Sequence, residues 1–83
     1  MPGKISILIV DDEESVRDSL YNWFIEDGYH VECAANAKEA LNLIEQKEFS
    51  IVLADLKMPG MDGLEMQRRI KTLNPEAIVI IMT

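Results

Sequence analysis

The chain has 83 residues, of which 48% are hydrophobic and 28% charged, and its formal net charge is −7. This balance predicts one small globular domain and argues against disorder and against a nucleic-acid-binding surface. No apolar run approaches the roughly 18 residues of a membrane span, and no signal peptide is recognisable. The single cysteine, Cys33, excludes an internal disulfide and favours a cytoplasmic location.

The first third of the chain predicts a strand, a helix and a second strand. Ile5–Val10 is apolar and rich in β-branched residues, as in a buried strand. Four acids follow at 11–14, and they suit a helix start because the helix dipole favours negative charge there. A helix is predicted over Glu14–Asp27, and Gly28 is predicted to end it. Its apolar face, at the i, i+4, i+7, i+8 spacing, consists of Val16, Leu20, Trp23 and Phe24. A second strand is predicted over His30–Ala34.

The middle of the chain predicts a second helix and a third strand. Asn36 and Glu39 have the spacing of a capping box, which predicts a helix over Ala37–Gln46. The inner face of that helix is predicted to hold Ala37, Ala40, Leu41 and Ile44. Phe49–Ala54 is a short apolar run and is predicted as a strand that ends at an acid, Asp55.

The last part of the chain predicts a third helix and a fourth strand. Asp62 and Glu65 repeat the capping-box spacing, and the helix continues to about Leu73 before Asn74-Pro75 ends it. Its inner face is predicted to hold Leu64, Met66, Ile70 and Leu73. Ala77–Met82 is almost wholly apolar and is predicted as a strand. Strands that alternate with helices predict an α/β fold, with a parallel sheet between two layers of helices.

Three acids stand at predicted strand ends: Asp11 and Asp12 after the first strand, and Asp55 after the third. Carboxyl ends of parallel strands share one sheet edge, so neighbouring strands would bring these acids together. Crowded carboxylates raise each other's pKa or need a counter-ion. Oxygen ligands without a histidine or cysteine cluster favour Mg²⁺ over zinc. A carboxylate in such a site can itself act as a nucleophile and become an aspartyl-phosphate. Taken singly, each acid is more simply a helix cap or a strand terminator.

Three segments resemble the receiver domain of two-component response regulators. They are ILIVDDE at Ile7–Glu13, D-x-x-M-P-G-M-D-G at Asp55–Gly63, and the apolar fourth strand that ends in Thr83. The resemblance covers residues 1–83. It implies a flavodoxin-like (CheY-like) fold with strand order 2-1-3-4 and a function in two-component signal transduction.

The resemblance also implies a role for individual residues. Asp55 would accept a phosphoryl group from a phosphohistidine of a sensor histidine kinase. Asp12 would bind Mg²⁺ directly and Asp11 mainly through a metal-bound water. Asp55 would supply a third oxygen, and the backbone carbonyl of Lys57 another. Thr83 would be the switch hydroxyl that turns toward the phosphoryl oxygen.

A complete receiver continues with a helix, a strand and a helix, so the chain is expected to be a receiver truncated at its C-terminus. A receiver truncated in this way is expected to lack the fifth-strand lysine and the aromatic switch residue of the family. An apolar fourth strand at the sheet edge predicts a homodimer or higher assembly through residues 77–82. The ending IVIIMT is similar to receivers of sigma-54-dependent (NtrC-like) activators, which implies transcription regulation by a longer parent protein.

Two alternative functions remain open from the sequence. The first is an interaction fragment that pairs through its open sheet edge without being phosphorylated. The second, an aspartate-nucleophile phosphatase, is weaker because Lys57 occupies the position where such enzymes usually carry a second acid. His30 is interpreted as structural or solvated, and Cys33, Trp23 and Phe24 as core. Arg68, Arg69 and Lys71 are interpreted as a solvated helix face.

Overall fold

The computed structural model describes residues 5–55 and 63–82. In these residues four strands alternate with three helices, which confirms the predicted order of elements. The strands are β1 Ser6–Val10, β2 His30–Ala34, β3 Ile51–Asp55 and β4 Ile78–Met82, and the helices are α1 Glu14–Glu26, α2 Ala37–Gln46 and α3 Gly63–Leu73. The predicted ends differ from the observed ends by at most two residues. No helix within the described ranges is both long and apolar enough to cross a membrane.

The strands form one parallel sheet in the order β2-β1-β3-β4, as the family resemblance implied. Val10 at the end of β1 lies opposite both Ala34 of β2 and Ala54 of β3. The residues that follow Val10 and Ala54 therefore lie side by side at the carboxyl ends of β1 and β3. This register, rather than any long-range signal in the sequence, brings the acids of β1 and β3 together.

The alternating side chains of β1 divide the core between the two sheet faces, because successive residues of a strand point to opposite sides. Leu8 and Val10 pack on the face covered by α2 and α3, and Ile7 and Ile9 on the face covered by α1. All four side chains are at most 2% exposed. Strand β1 is therefore buried on both faces of the sheet, as its apolar sequence predicted.

The glycine predicted to end α1 does so in a Schellman motif. Gly28 has φ +93°, its N–H donates to the Ile25 carbonyl at 3.0 Å, and the N–H of Tyr29 donates to the Phe24 carbonyl at 3.1 Å. The rings of Phe24 and Tyr29 meet edge to face with centroids 5.9 Å apart. The hydrophobic contact that accompanies this motif therefore also anchors α1 beside β2.

The capping box predicted at the start of α2 is present, with one difference. The Asn36 side chain accepts a hydrogen bond from the Glu39 N–H at 2.9 Å. The Glu39 carboxylate accepts from the N–H of Ala35, also at 2.9 Å, rather than from that of Asn36. Asp62, which was predicted to cap α3, lies outside the described residues.

Three side chains predicted to face the core are instead exposed, which corrects the helix-face predictions. Trp23 is 69% exposed, Leu64 68% and Leu73 45%. On α1 the contacts with the sheet pass through Leu20 and Phe24, and Trp23 lies beside this stripe. On α3 the inner face is narrower than predicted, because only Met66 and Ile70 are fully buried.

Candidate functional site

The end of β1 and the end of β3 together form an acidic cluster, Asp11, Asp12 and Asp55. One oxygen from each of these carboxylates lies within 4.8 Å of the other two. The parallel register of β1 and β3 explains this convergence, since Asp11 follows Val10 and Asp55 follows its partner Ala54. The structure thus brings together the three acids that the sequence placed at strand ends.

The three carboxylates have different surroundings. Asp11 is 4% exposed, whereas Asp12 is exposed and Asp55 is half-buried at the last position of β3. The backbone N–H of Asp11 donates to the Ala34 carbonyl at 3.1 Å, and its carboxylate accepts from the Glu13 N–H at 2.9 Å. This bond lies in the turn before α1 and is not a helix cap, because the N-cap residue of α1 is Glu13 and its side chain makes no capping hydrogen bond there.

Arg17, a basic residue that belongs to none of the sequence motifs above, also contacts this end of β1. Its Nη1 donates to the backbone carbonyl of Asp11 at 2.7 Å. The available signal was a lone arginine in the first turn of α1, directly after four acids. Sequence alone did not indicate whether it would point to solvent or fold back onto the turn.

The donor atoms of the acidic cluster suit a hard divalent cation. All are carboxylate oxygens, which Mg²⁺ prefers, and the cluster includes no histidine or cysteine that would favour zinc. Three like charges at this separation repel one another, so a bound cation relieves an unfavourable arrangement. The residues present therefore fit Mg²⁺. Lys57 and Thr83, the other predicted members of the site, lie outside the described residues.

Two other candidates from the sequence lie on β2, away from the acidic cluster. His30 is exposed, as predicted, with its Nε2 3.4 Å from a carboxylate oxygen of Glu32. A hydrogen bond from the Lys47 ammonium lowers the pKa of Glu32. Cys33 is half-buried against the Ile7–Ile9 face, where burial raises the pKa of its thiol despite the nearby charge of Arg17. It is a partly buried core residue, close to its predicted role.

The basic residues of α3 form the solvated face that the sequence predicted. Arg69 Nε lies 3.1 Å from one carboxylate oxygen of Glu65, and Arg68 Nη1 lies 3.7 Å from the other. Lys71 instead donates to the Ala77 carbonyl at 2.7 Å and ties the end of α3 to the start of β4. These contacts are structural or solvent-exposed and lie outside the acidic cluster.

The sequence of residues 7–83 matches the family described as the response regulator receiver domain. The chain belongs to this family. Receiver domains are the phosphoryl-accepting modules of two-component signalling; they bind Mg²⁺ at an acidic pocket and interact with sensor histidine kinases. The chain is accordingly a receiver module of two-component signal transduction.

Two relatives place the receiver in different protein contexts. It is 43% identical over 77 residues to the sporulation initiation phosphotransferase F of Bacillus subtilis, covering 93% of this chain and 62% of the relative. It is 40% identical over 84 residues to the transcriptional regulatory protein ZraR of Klebsiella oxytoca, covering 96% of this chain and 18% of that relative. The receiver thus spans less than two thirds of either protein.

Solved receivers share the fold described above. A CheY-like receiver from Methanospirillum hungatei superimposes with a TM-score of 0.92 at 38% identity, covering 95% of this chain and 63% of the other. The response regulator TrrA of Thermotoga maritima, solved in complex with Mg²⁺–BeF, gives 0.85 at 35% identity, covering 93% and 67%. The flavodoxin-like fold inferred from the resemblance is confirmed.

Proposed function

We propose that Asp55 accepts a phosphoryl group from a phosphohistidine of a sensor histidine kinase, at a site where Asp11, Asp12 and Asp55 hold Mg²⁺. The observation that carries this proposal is the convergence of the three carboxylates, within 4.8 Å of one another, from two neighbouring parallel strands. A set of helix caps and strand terminators does not require that convergence. The backbone carbonyl of Lys57 and the hydroxyl of Thr83 complete the proposed site.

In the proposed reaction a carboxylate oxygen of Asp55 bonds to phosphorus while the P–N bond of the phosphohistidine breaks. The electron pair of the broken bond leaves with the imidazole, and the product is an acyl phosphate. Asp55 suits this role because it is half-buried at an accessible sheet edge. Asp11 suits a supporting role because it is buried and already accepts a hydrogen bond from Glu13. Asp11, Asp12 and Asp55 would hold Mg²⁺, which when bound would supply positive charge to offset the negative charge of the phosphoryl group.

We further propose that residues 1–83 act as one receiver domain whose product is a conformational signal rather than a released compound. The domain is then not an enzyme in the turnover sense. The similarity to ZraR supports a role in transcription regulation within a longer protein, and the single cysteine supports a cytoplasmic setting.

Labelling with a small-molecule phosphodonor tests the acceptor assignment. The parent chain is expected to form a Mg²⁺-dependent adduct that hydroxylamine cleaves, as an acyl phosphate must. Asp55→Asn is expected to form none, while Glu48→Gln, which removes an exposed charge before β3, retains labelling. Equal labelling of Asp55→Asn, or a hydroxylamine-resistant adduct, would show that the acceptor is another residue.

Titration with Mg²⁺ tests the metal site separately. Amide chemical shifts are the better probe, because the chain's one tryptophan, Trp23, is exposed. We expect weak binding, with shifts centred on Asp12 and Asp55, since Mg²⁺ dehydrates reluctantly and is seldom caged by protein ligands alone. Unchanged shifts at tens of millimolar Mg²⁺, roughly the upper range for such weak sites, would contradict the proposed ligands.

A second candidate function is protein–protein association through β4. In the described part of the chain β4 pairs with β3 along one edge, and Ile78 and Ile80 are 60% and 46% exposed. An exposed apolar edge strand is a template for pairing, and a homodimer is the simplest product. Sedimentation at micromolar concentration should then show an assembly that Ile80→Lys dissociates. Association without phosphoryl labelling would favour this function over the first.

A further inference from the structure

The turn between β1 and α1 is held by two hydrogen bonds that both involve Asp11. Its carboxylate accepts from the Glu13 N–H at 2.9 Å, and its backbone carbonyl accepts from Arg17 Nη1 at 2.7 Å. The first bond fixes the side chain of Asp11. The second fixes its main chain at the point where the chain leaves the sheet.

The Arg17 bond controls the orientation of the next residue, Asp12. The carbonyl of Asp11 belongs to the peptide group that joins Asp11 to Asp12, and peptide groups are planar. Holding that oxygen therefore sets the plane from which Asp12 departs. Asp12 is exposed, so packing contributes little to its orientation. Arg17 itself is half-buried in the first turn of α1, and its N–H donates to the Glu13 carbonyl at 3.1 Å.

The guanidinium acts on the backbone rather than on a carboxylate. Arg17 forms no ion pair with the acidic cluster in the described part of the chain, so its guanidinium does not itself occupy a carboxylate oxygen of the cluster. Its charge alone would weaken the binding of a cation nearby, whereas its positioning of Asp12 would strengthen it. The two effects have opposite signs, which makes them separable by experiment.

We propose that Arg17 is a positioning residue for the metal site, acting through the Asp11–Asp12 peptide group. The inference rests on the proposed function, because it requires Asp11, Asp12 and Asp55 to hold Mg²⁺. Partners outside the ligand shell that orient metal ligands are commonly worth an order of magnitude in affinity. An arginine suits the role because its planar fork fixes the direction of its hydrogen bonds, which a lysine does not.

The experiment compares Mg²⁺ dissociation constants of the 83-residue chain, from amide shifts, for the parent, Arg17→Met and Arg17→Lys. Arg17→Met is expected to bind Mg²⁺ about tenfold more weakly, and Arg17→Lys to lie between it and the parent. Hydrogen exchange at the Asp12 and Glu13 amides should accelerate in both variants without Mg²⁺. If Arg17→Met does not fold, the Mg²⁺ affinity of Arg17→Lys tests the proposal. This variant keeps the charge and most of the packing but loses the planar guanidinium group.

Asn74→Ala provides the matched structural control. Asn74 is 7% exposed, and its Nδ2 donates to the Phe49 carbonyl at 3.0 Å, beyond the opposite end of β3 from Asp55. It should lose stability while its folded molecules bind Mg²⁺ like the parent. An equal loss of affinity in Asn74→Ala would reduce Arg17 to a general structural role and overturn the proposal. Tighter binding by Arg17→Met, with Arg17→Lys unchanged, would show an effect of charge alone and also overturn it.

Failure of this inference is distinguishable from failure of the proposed function. If the amide shifts of the parent chain do not respond to Mg²⁺, both the metal site and the role of Arg17 are ruled out. A parent response that both Arg17 variants retain removes only the role of Arg17.

Discussion

Replacing Asp55 with asparagine should stabilise the metal-free fold, although it abolishes the proposed phosphoryl acceptance. The substitution removes one of three carboxylates whose oxygens lie within 4.8 Å of one another. With the dielectric constant of water, each pair at that distance costs about 0.9 kcal/mol or more, and Asp55 takes part in two pairs. Asp55 also makes a further interaction in the fold, and we allow for its partial loss in the variant. The expected net gain is therefore about 1 kcal/mol, near half of the summed repulsion.

Thermal unfolding in the presence of EDTA, followed by far-ultraviolet circular dichroism, measures this gain. For a domain of this size about 1 kcal/mol corresponds to a rise in Tm of roughly 4–8 °C. Circular dichroism is preferable to fluorescence because Trp23 is already exposed in the folded state. Added Mg²⁺ should stabilise the parent more than Asp55→Asn, because a cation that binds the folded state raises its stability.

Glu48→Gln controls for the change in net charge alone. It removes one exposed acid from a chain of net charge −7, away from the acidic cluster. An equal rise in Tm for Glu48→Gln would mean that general charge repulsion, not the cluster, is relieved. A Tm of Asp55→Asn at or below that of the parent in EDTA would refute the electrostatic reasoning.

Three further outcomes follow from contacts elsewhere in the fold. Asn74→Ala should lower the free energy of unfolding in urea by about 1–3 kcal/mol, because it leaves the Phe49 carbonyl without its buried donor. Asn42→Ala, at an exposed position, is the control, and an equal loss of stability in both variants would contradict the role of the buried hydrogen bond. Gly28→Ala should lower the free energy of unfolding by about 1 kcal/mol, measured by thermal unfolding, because φ at this residue is +93°. No atom of the described residues, apart from those of Gly28 and its chain neighbours, lies within 4 Å of the added Cβ, so the loss comes from backbone conformation and not from a steric clash. Unchanged stability would show that the turn relaxes. Lys47 lowers the pKa of Glu32, so their interaction stabilises the fold above the ordinary carboxyl pKa of 4.5 and is lost as the pH falls through the lowered value. Lys47→Met should therefore lower Tm at pH 7 and converge with the parent in acid, and a deficit independent of pH would contradict the assignment.

The sequence alone determined the order of elements, most of their ends and the acids of the site. These properties depend on local signals, namely apolar runs, the capping pair Asn36 and Glu39, and Gly28 after α1. The end of β1 just before Asp11 and the end of β3 at Asp55 could be predicted, because an unpaired acid is unfavourable inside a buried strand. The strand order was inferred from a family resemblance, and the fold confirmed it.

The tertiary structure alone decided how much of each helix face is covered. Helical periodicity placed Leu20, Trp23 and Phe24 on one side of α1, yet Trp23 is 69% exposed. Periodicity gives the direction of a stripe but not its width, which depends on where the sheet meets the helix. The same reason explains the exposure of Leu64 and Leu73 on α3.

Only the tertiary structure showed that the neighbouring acids differ in burial and that Arg17 contacts the backbone beside them. Asp11 and Asp12 are adjacent and chemically identical, but one is 4% exposed and the other lies in solvent. The contact of Arg17 could not be predicted from the sequence, because a long side chain can adopt many rotamers. The observed rotamer places the guanidinium against the backbone carbonyl of Asp11, which accepts its hydrogen bond. The sequence supplied the charges of the site, whereas the register of β1 on β3 and the turn into α1 decided their arrangement, because both depend on contacts between residues distant in the chain.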